Sequence, residues 1–436
     1  MSPTLGFCTV STVSHLSQCR VLAESVSREH PGSRLRVLVA DDVDHVYRDA
    51  SEPFDVMDVE ALDLQPAEFR RMAACYEPLE LLCALKPWAM KHELDVGARA
   101  VVYLDNDTEV FAPLTEFAET AEERGVALVA HISDPLPRDG LNPVDTEFLR
   151  FGTYNGGCIA VGGSKKGRRF LRWWSERLSR DCIYSDEEGL YCDQRWLDLV
   201  PAIFEAALSR DPGLNVAYWN RAHMLVSTRG EYRVGGAPLR LFHFSGFDPT
   251  RPRFLSTLHT VAPRADPAAN PALGRLCSDY ASRVLAEGYS ELKERTYGYA
   301  RTETGLRLDR RMRRLYRAEL LKADRGQSHY PPDPYTSEGA VAFGDWLKDT
   351  PPGDPVSRYL GAVYSDRPDV RGKFPVLSGT DRELFLAWVA EFGVTDAGIP
   401  CEFAPANSET SPAPRPGGLY AASVRLKRKL VRSRGR

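Results

Sequence analysis

The sequence predicts an α/β fold, a mostly parallel, Rossmann-like sheet flanked by helices, with a C-terminal helical extension. Three observations carry this expectation. Residues 6–10 (GFCTV) and 35–40 (LRVLVA) are short apolar runs around an amphipathic stretch, residues 19–26. Strand, helix and strand within about forty residues make a βαβ unit, whose crossover is right-handed. Residues 100–104 (AVVYL) form a further apolar run with no alternating polar face, as expected of a strand buried on both sides. After Pro249 the pattern changes to helical periodicity.

The composition bounds the rest. With 436 residues, 43% hydrophobic and 27% charged, the chain reads as soluble and globular, with one large domain and a smaller one. A net charge of −4 gives no sign of a nucleic-acid partner. Nine cysteines without a C-x-x-C pair predict reduced thiols in a cytoplasmic setting. No apolar stretch reaches membrane-spanning length, and no secretion signal is evident.

Taken in order, the first strand should end in a loop over residues 9–15, which opens with Thr9 and Val10. The second should deliver Asp41 and Asp42 to the same edge of the sheet. A helix over residues 79–94, which Pro87 should kink or divide, carries Lys86 among its buried residues. Lys86 either contacts a phosphate or extends its ammonium to solvent. The apolar strand at 100–104 then ends in Asp105-Asn106-Asp107. Acids two positions apart at the carboxyl end of such a strand can both reach one hard cation and leave coordination sites for substrate phosphates. The same residues also suit a plain turn.

Residues 126–131 form the next strand. The Pro-, Gly- and Asp-rich stretch 133–144 resembles a substrate-covering loop. Asn155-Gly156-Gly157 precedes an apolar strand. It serves either close approach of backbone to ligand or a hairpin turn. Residues 191–198 open a helix in which Asp193 either complements the helix dipole or, with Gln194, binds sugar hydroxyls. Residues 239–244 (LRLFHF) are a last strand, delivering His243, Ser245 and Gly246.

Together, the order of Asp105-Asn106-Asp107, Asn155-Gly156-Gly157, Asp193-Gln194 and His243-Phe244-Ser245-Gly246 resembles the GT-A glycosyltransferases. Among these it is most similar to the family-8-like enzymes related to glycogenin and bacterial lipopolysaccharide galactosyltransferases. The resemblance covers roughly residues 5–250. It implies a divalent metal, Mn2+ or Mg2+, held by Asp105, Asp107 and His243. Asn155, Gly156, Asp193 and Gln194 would surround the donor sugar and the reacting centre. Thr9, Val10, Asp41, Lys86, Asn106 and Gly246 would lie along the bound nucleotide. The implied reaction moves a sugar from a nucleotide-diphosphate donor, a UDP-sugar by expectation, to a glycan, lipid-linked or small-molecule acceptor, with retention favoured. The family's Lys-Pro-Trp after the His-x-x-Gly is replaced by Phe247-Asp248-Pro249. A sugar-phosphate nucleotidyltransferase would show an early Gly-rich phosphate loop, absent from residues 9–16. A non-catalytic nucleotide-sugar-binding scaffold would tolerate loss of the second acid or of the histidine.

The expected organisation is a catalytic domain at 1–255, a linker and helical segment at 256–325 and a small helical module at 326–400. A disordered linker and a basic tail should follow at 401–436. Arg310, Arg311, Arg313, Arg314 and Arg317 read as a solvated basic helix face. Residues 425–436 hold seven basic residues with Leu426, Leu430 and Val431 between them. Such a tail can place the protein against the anionic inner face of a membrane.

Overall fold

A computed structural model describes residues 5–47 and 51–404. The chain divides into two compact units, one ending at Ala300 and the other starting at Arg301.

In the first unit, β1 (Leu5–Ser11), α1 (Leu16–Glu29) and β2 (Leu35–Val39) form the expected opening, continued by β3 (Asp55–Met57). Helices α2 (Pro66–Cys75) and α3 (Pro78–Asp95) lead into β4 (Ala100–Leu104). The turn 105–107 joins it to β5 (Thr108–Val110). Then come α4 (Thr115–Arg124), β6 (Val126–Ala130), α5 (Asp145–Phe151), β7 (Tyr154–Gly162) and α6 (Lys165–Leu178). A small ribbon of β8 (Tyr184–Ser185) and β9 (Leu190–Tyr191) precedes α7 (Gln194–Leu197), α8 (Val200–Ile203) and β10 (Ala206–Ser209). The antiparallel strands β11 (Leu225–Thr228), β12 (Glu231–Val234) and β13 (Ala237–Pro238) follow, then β14 (Leu241–His243), α9 (Pro271–Ala286) and α10 (Tyr289–Leu292).

The central sheet has seven strands in the order β10-β6-β7-β4-β1-β2-β3. Its pairings are parallel except at β7, which runs antiparallel to both β4 and β6. That reversal sets up the site. Ligands of such sheets lie beyond the carboxyl ends of the parallel strands. Because β7 runs the other way, its first residues lie beside the last residues of β4, with Leu104 opposite Cys158. Asn155-Gly156-Gly157 and Asp105-Asn106-Asp107 therefore meet at one edge. The glycines lie within β7, so they do not form a hairpin turn.

Each element follows from its residues. All of β4 is buried, as a two-sided apolar strand must be. Phe7, Leu22, Val37, Val102, Phe117 and Ala160 belong to one core between sheet and helices. A second core joins Val21, Phe242 and Phe244 to Leu273, Leu276 and Tyr280 of α9, with the Phe244 and Tyr280 rings stacked at 3.6 Å. Helix α3 starts in a Glu77/Glu80 capping box and runs unbroken through Pro87. The expected division does not occur, because packing against β1 and α6 holds the helix while Pro87 forfeits a single backbone bond.

The last expected strand is shorter than residues 239–244. β14 leaves the main sheet and pairs antiparallel with β5, setting His243 opposite Thr108. Residues 257–270 are tied to the loop after β6, since Asn142 donates its N–H to Ala262 O and accepts from Arg264 N.

The second unit is helical, with α11 (Arg310–Asp324), α12 (Ser337–Lys348), α13 (Arg358–Asp366), α14 (Pro368–Lys373), α15 (Gly379–Trp388) and α16 (Val394–Ala397). Phe343, Leu347, Tyr359, Leu360, Phe374, Phe385 and Trp388 are among its buried side chains, as their spacing predicts, whereas Trp346 is only half-buried. The basic stretch is not one solvated face, because Arg313 and Arg317 are 3% and 6% exposed. Among the described residues, no helix is long and apolar enough to cross a membrane. All nine cysteines are free thiols, and only Cys401 is exposed. The basic tail lies outside the described residues.

Candidate active site

The turn after β4 is tight. Asp105 O accepts from Thr108 N and from Thr108 Oγ1 at 2.8 Å, so Asp105 and Asp107 project on the same side of the strand end. The β5–β14 ribbon then brings in His243. Its Nε2 lies 3.0 Å from Asp107 Oδ1 and 3.8 Å from Asp105 Oδ2. One ligand atom from each of the three residues falls within 4.8 Å of the others, a candidate cation site. The turn and the candidate cation site are therefore one structure. Two carboxylates and one imidazole suit a hard to borderline divalent ion. Gly157 gives the cluster its room. A Cβ there would lie 2.5 Å from both Asp105 Oδ2 and His243 Cε1.

Lys86 stands beside this cluster, inside α3 and 3% exposed. Its ammonium donates to Gly156 O and Asp193 Oδ2, both at 2.9 Å, and pairs with Asp105 Oδ1 at 3.2 Å. It does not extend to solvent. Asp193 occupies the position just before α7, yet its carboxylate makes no capping bond and turns to Lys86 instead. The helix-dipole role is thus replaced by an ion pair. Gly156 accommodates it, since a Cβ there would lie 2.2 Å from Asp193 Oδ2.

Burial alone would strip the charge from Lys86, but Asp105 and Asp193 outweigh it and hold the ammonium well above its usual pKa. Burial pushes Asp105 up, and Lys86 and His243 reverse that, leaving it below the ordinary carboxylate range. Tyr103 also donates its hydroxyl to Asp105 Oδ1 at 3.0 Å. His243 is raised above 6.5, because Asp107 and Asp105 overcome the cost of its burial. Three carboxylates face Lys86 and His243, a balance that favours an arriving cation.

Asn155 is the hub on the other side. Its Oδ1 accepts from Gly157 N at 3.0 Å and Asn215 Nδ2 at 3.1 Å. Its Nδ2 donates to Gln194 Oε1 at 3.0 Å and lies 3.1 Å from His131 Nε2. Gln194 Oε1 also accepts from Gly156 N, and its Nε2 donates to Phe151 O. Burial holds His131 neutral, with its pKa down at about 4.

The remaining expected residues are more dispersed. Asn106 donates to Ser11 Oγ at 3.0 Å, tying the acidic turn to the end of β1. Thr9 and Val10 are buried within β1, and Val10 is paired with Leu38. Asp41 is 5% exposed, and its Oδ1 accepts from Val13 N at 2.8 Å, so it anchors the loop after β1. Gly246 lies in the turn after β14 at φ +68°, a left-handed conformation that suits glycine.

Sequence reasoning missed Asn215, His131 and Tyr103 as site residues. Asn215 is fully buried, and its polar side chain in the apolar run 214–219 was the available signal. His131 showed only as the end of a strand.

No family model matches the chain. The uncharacterized protein YfnF of Bacillus subtilis (strain 168) is 24% identical over 249 residues, which cover 56% of this chain and 82% of that protein. Among solved structures, the galactosyltransferase LgtC in complex with donor and acceptor sugar analogs is similar over 64% of this chain and 95% of its own. Identity there is 16% and the TM-score 0.39. The glycosyltransferase GlyE of Streptococcus pneumoniae TIGR4 is similar over 68% of this chain and 66% of its own, at 13% identity and a TM-score of 0.34.

Proposed function

We infer that the chain is a metal-dependent glycosyltransferase of the GT-A kind, moving a sugar from a nucleotide-diphosphate donor to an acceptor. One observation carries the reading. Four motifs far apart in the chain converge on one hydrogen-bonded cluster, in which a cation site and a buried Lys–Asp pair share Asp105. A scaffold that only bound nucleotide sugars would have no need to bury Lys86 between two carboxylates, an arrangement costly to assemble.

Asp105, Asp107 and His243 would hold Mn2+ or Mg2+. The bound ion would neutralise charge gathering on the departing diphosphate. The chain's own residues do the rest. Lys86 fixes Asp193 as a buried carboxylate, set to stabilise positive charge developing at the sugar carbon. Gly156 and Gly157 leave the strand surface free for Asp193 and for the Asp105–His243 cluster to close against it. Asp105 is engaged by Lys86 and Tyr103, Asp107 by His243, and Asp193 by Lys86. None of the three is free to act as a base toward the acceptor. This favours retention, with the leaving phosphate taking the acceptor's proton.

The test is release of nucleoside diphosphate from a panel of nucleotide sugars, UDP-sugars first, with Mn2+ and then with chelator. Turnover of one donor is expected with Mn2+ alone. Asp107→Ala should lower it by more than roughly 100-fold, since loss of a ligand's outer partner already costs 10–100-fold. Silence across the panel, with no thermal stabilisation by any nucleotide, would return the acidic turn to an ordinary turn.

A further inference from the structure

We propose that Asn215 is a positioning residue that presets His243 for the metal by fixing which ring nitrogen carries the proton. The inference rests on the cation site described above and concerns how this chain prepares it.

The argument starts from a group whose hydrogen bonding has one sense. A backbone N–H can only donate, and Gly157 N donates to the Asn155 side chain at 3.0 Å. The Asn155 amide must therefore present its oxygen there. The Asn215 atom facing that same oxygen at 3.1 Å must be its nitrogen. The Asn215 oxygen is then left facing His243 Nδ1 at 3.2 Å. Opposite an oxygen that only accepts, Nδ1 carries and keeps a hydrogen, so Nε2, which faces the Asp107 carboxylate, is the nitrogen that gives up its proton when a cation arrives. Nε2 is the nitrogen 3.0 Å from Asp107 Oδ1. The direction thus runs from one backbone amide, through two side-chain amides, to the nitrogen that faces the acids.

The backbone locks the same arrangement. Val216 N donates to Leu241 O, and His243 N donates to Val216 O, so residue 215 is in register with His243. Asn220 Nδ2 donates to Asn215 O at 2.9 Å. Asn215 is fully buried at φ +56°, a left-handed conformation that asparagine accepts more readily than most residues. The Trp219 ring packs edge-on against the imidazole at 5.1 Å and limits its rotation. A metal-bound histidine generally needs its second nitrogen held in this way, and losing such a partner typically costs 10–100-fold in metal affinity.

The experiment has two arms. In wild type loaded with diamagnetic Zn2+, nitrogen-15 shifts of His243 should report a proton on Nδ1 and none on Nε2, the form a free imidazole disfavours. A proton on Nε2 would overturn the proposal. In the second arm, Mn2+ binding is titrated calorimetrically on wild type and Asn215→Gly. Glycine keeps the left-handed backbone while removing the amide. A 10–100-fold weaker Mn2+ affinity is expected, and unchanged affinity would overturn the proposal. If the variant does not fold, the wild-type spectrum decides alone. A wild type that binds no Mn2+ would instead refute the cation site, a different and recognisable result.

Discussion

At the scale of single residues, the two glycines of β7 divide the site. A methyl group at 157 falls on the cation cluster, whereas one at 156 falls on Asp193. Overpacking of this kind typically costs about 1–3 kcal/mol, so both variants should fold. Gly157→Ala is expected to weaken Mn2+ binding by at least about tenfold, because Asp105 and His243 must separate. Gly156→Ala should leave Mn2+ affinity near wild type and depress sugar transfer, because it disturbs the Asp193–Lys86 pair. Calorimetry and turnover on the two variants distinguish the effects, and equal loss of Mn2+ in both would show that the division is wrong. The two acids stand out in the sequence by their spacing at the end of an apolar strand, whereas His243 entered only through the family resemblance. The partners of Lys86 were not legible. Its sequence neighbours are apolar, and the groups it binds, Gly156, Asp193 and Asp105, arrive from other elements. Asn215 was hidden for the same reason, since nothing local ties residue 215 to residue 243.

At the scale of elements, the loop after β1 depends on a carboxylate from the next strand. Burial pushes Asp41 up to about 6 from the usual 3.8, even though the N–H groups of Val13 and Gly298 favour its charged form. The native state therefore holds this proton more tightly than the unfolded chain does. The stability linked to that proton is fully present below the unfolded value and is lost as pH rises through about 6. The Asp41→Asn variant, whose amide does not titrate, would carry no such dependence. The stability of wild type relative to Asp41→Asn, from urea denaturation at several pH values, should fall between about pH 4 and pH 6 and level off above. A flat difference across that range would refute the assignment. The elements themselves were largely readable. β1, α1, β2, β4 and β6 follow from apolar runs and their punctuation. The direction of β7 was not readable, because an apolar strand has the same pattern whichever way it runs. That direction is what joins the Asn-Gly-Gly strand to the acidic turn.

At the scale of the whole molecule, the question is where the site-bearing unit ends. The change of composition after Pro249 suggests a catalytic domain at 1–255, whereas the compact unit extends to Ala300. The difference is α9 and α10. Leu273, Leu276, Tyr280 and Val284 of α9 are almost fully buried, in one core with Phe242 and Phe244 on either side of His243. Removing them from water contributes about 1.5–3 kcal/mol each, and the four together are comparable to the net stability of a typical domain. A chain ending at residue 255 would expose Phe242 and Phe244 and loosen the ribbon that carries His243. A chain ending at Ala300 would keep both that core and every residue of the candidate site. The 1–300 chain is accordingly expected to melt cooperatively and bind Mn2+ with near wild-type affinity, and the 1–255 chain to aggregate or lose the ion. Thermal melting and calorimetry on the two truncations decide between the boundaries. A 1–255 chain that melts cooperatively and still binds Mn2+ would place the boundary where the composition changes, and would make α9 an accessory to the fold.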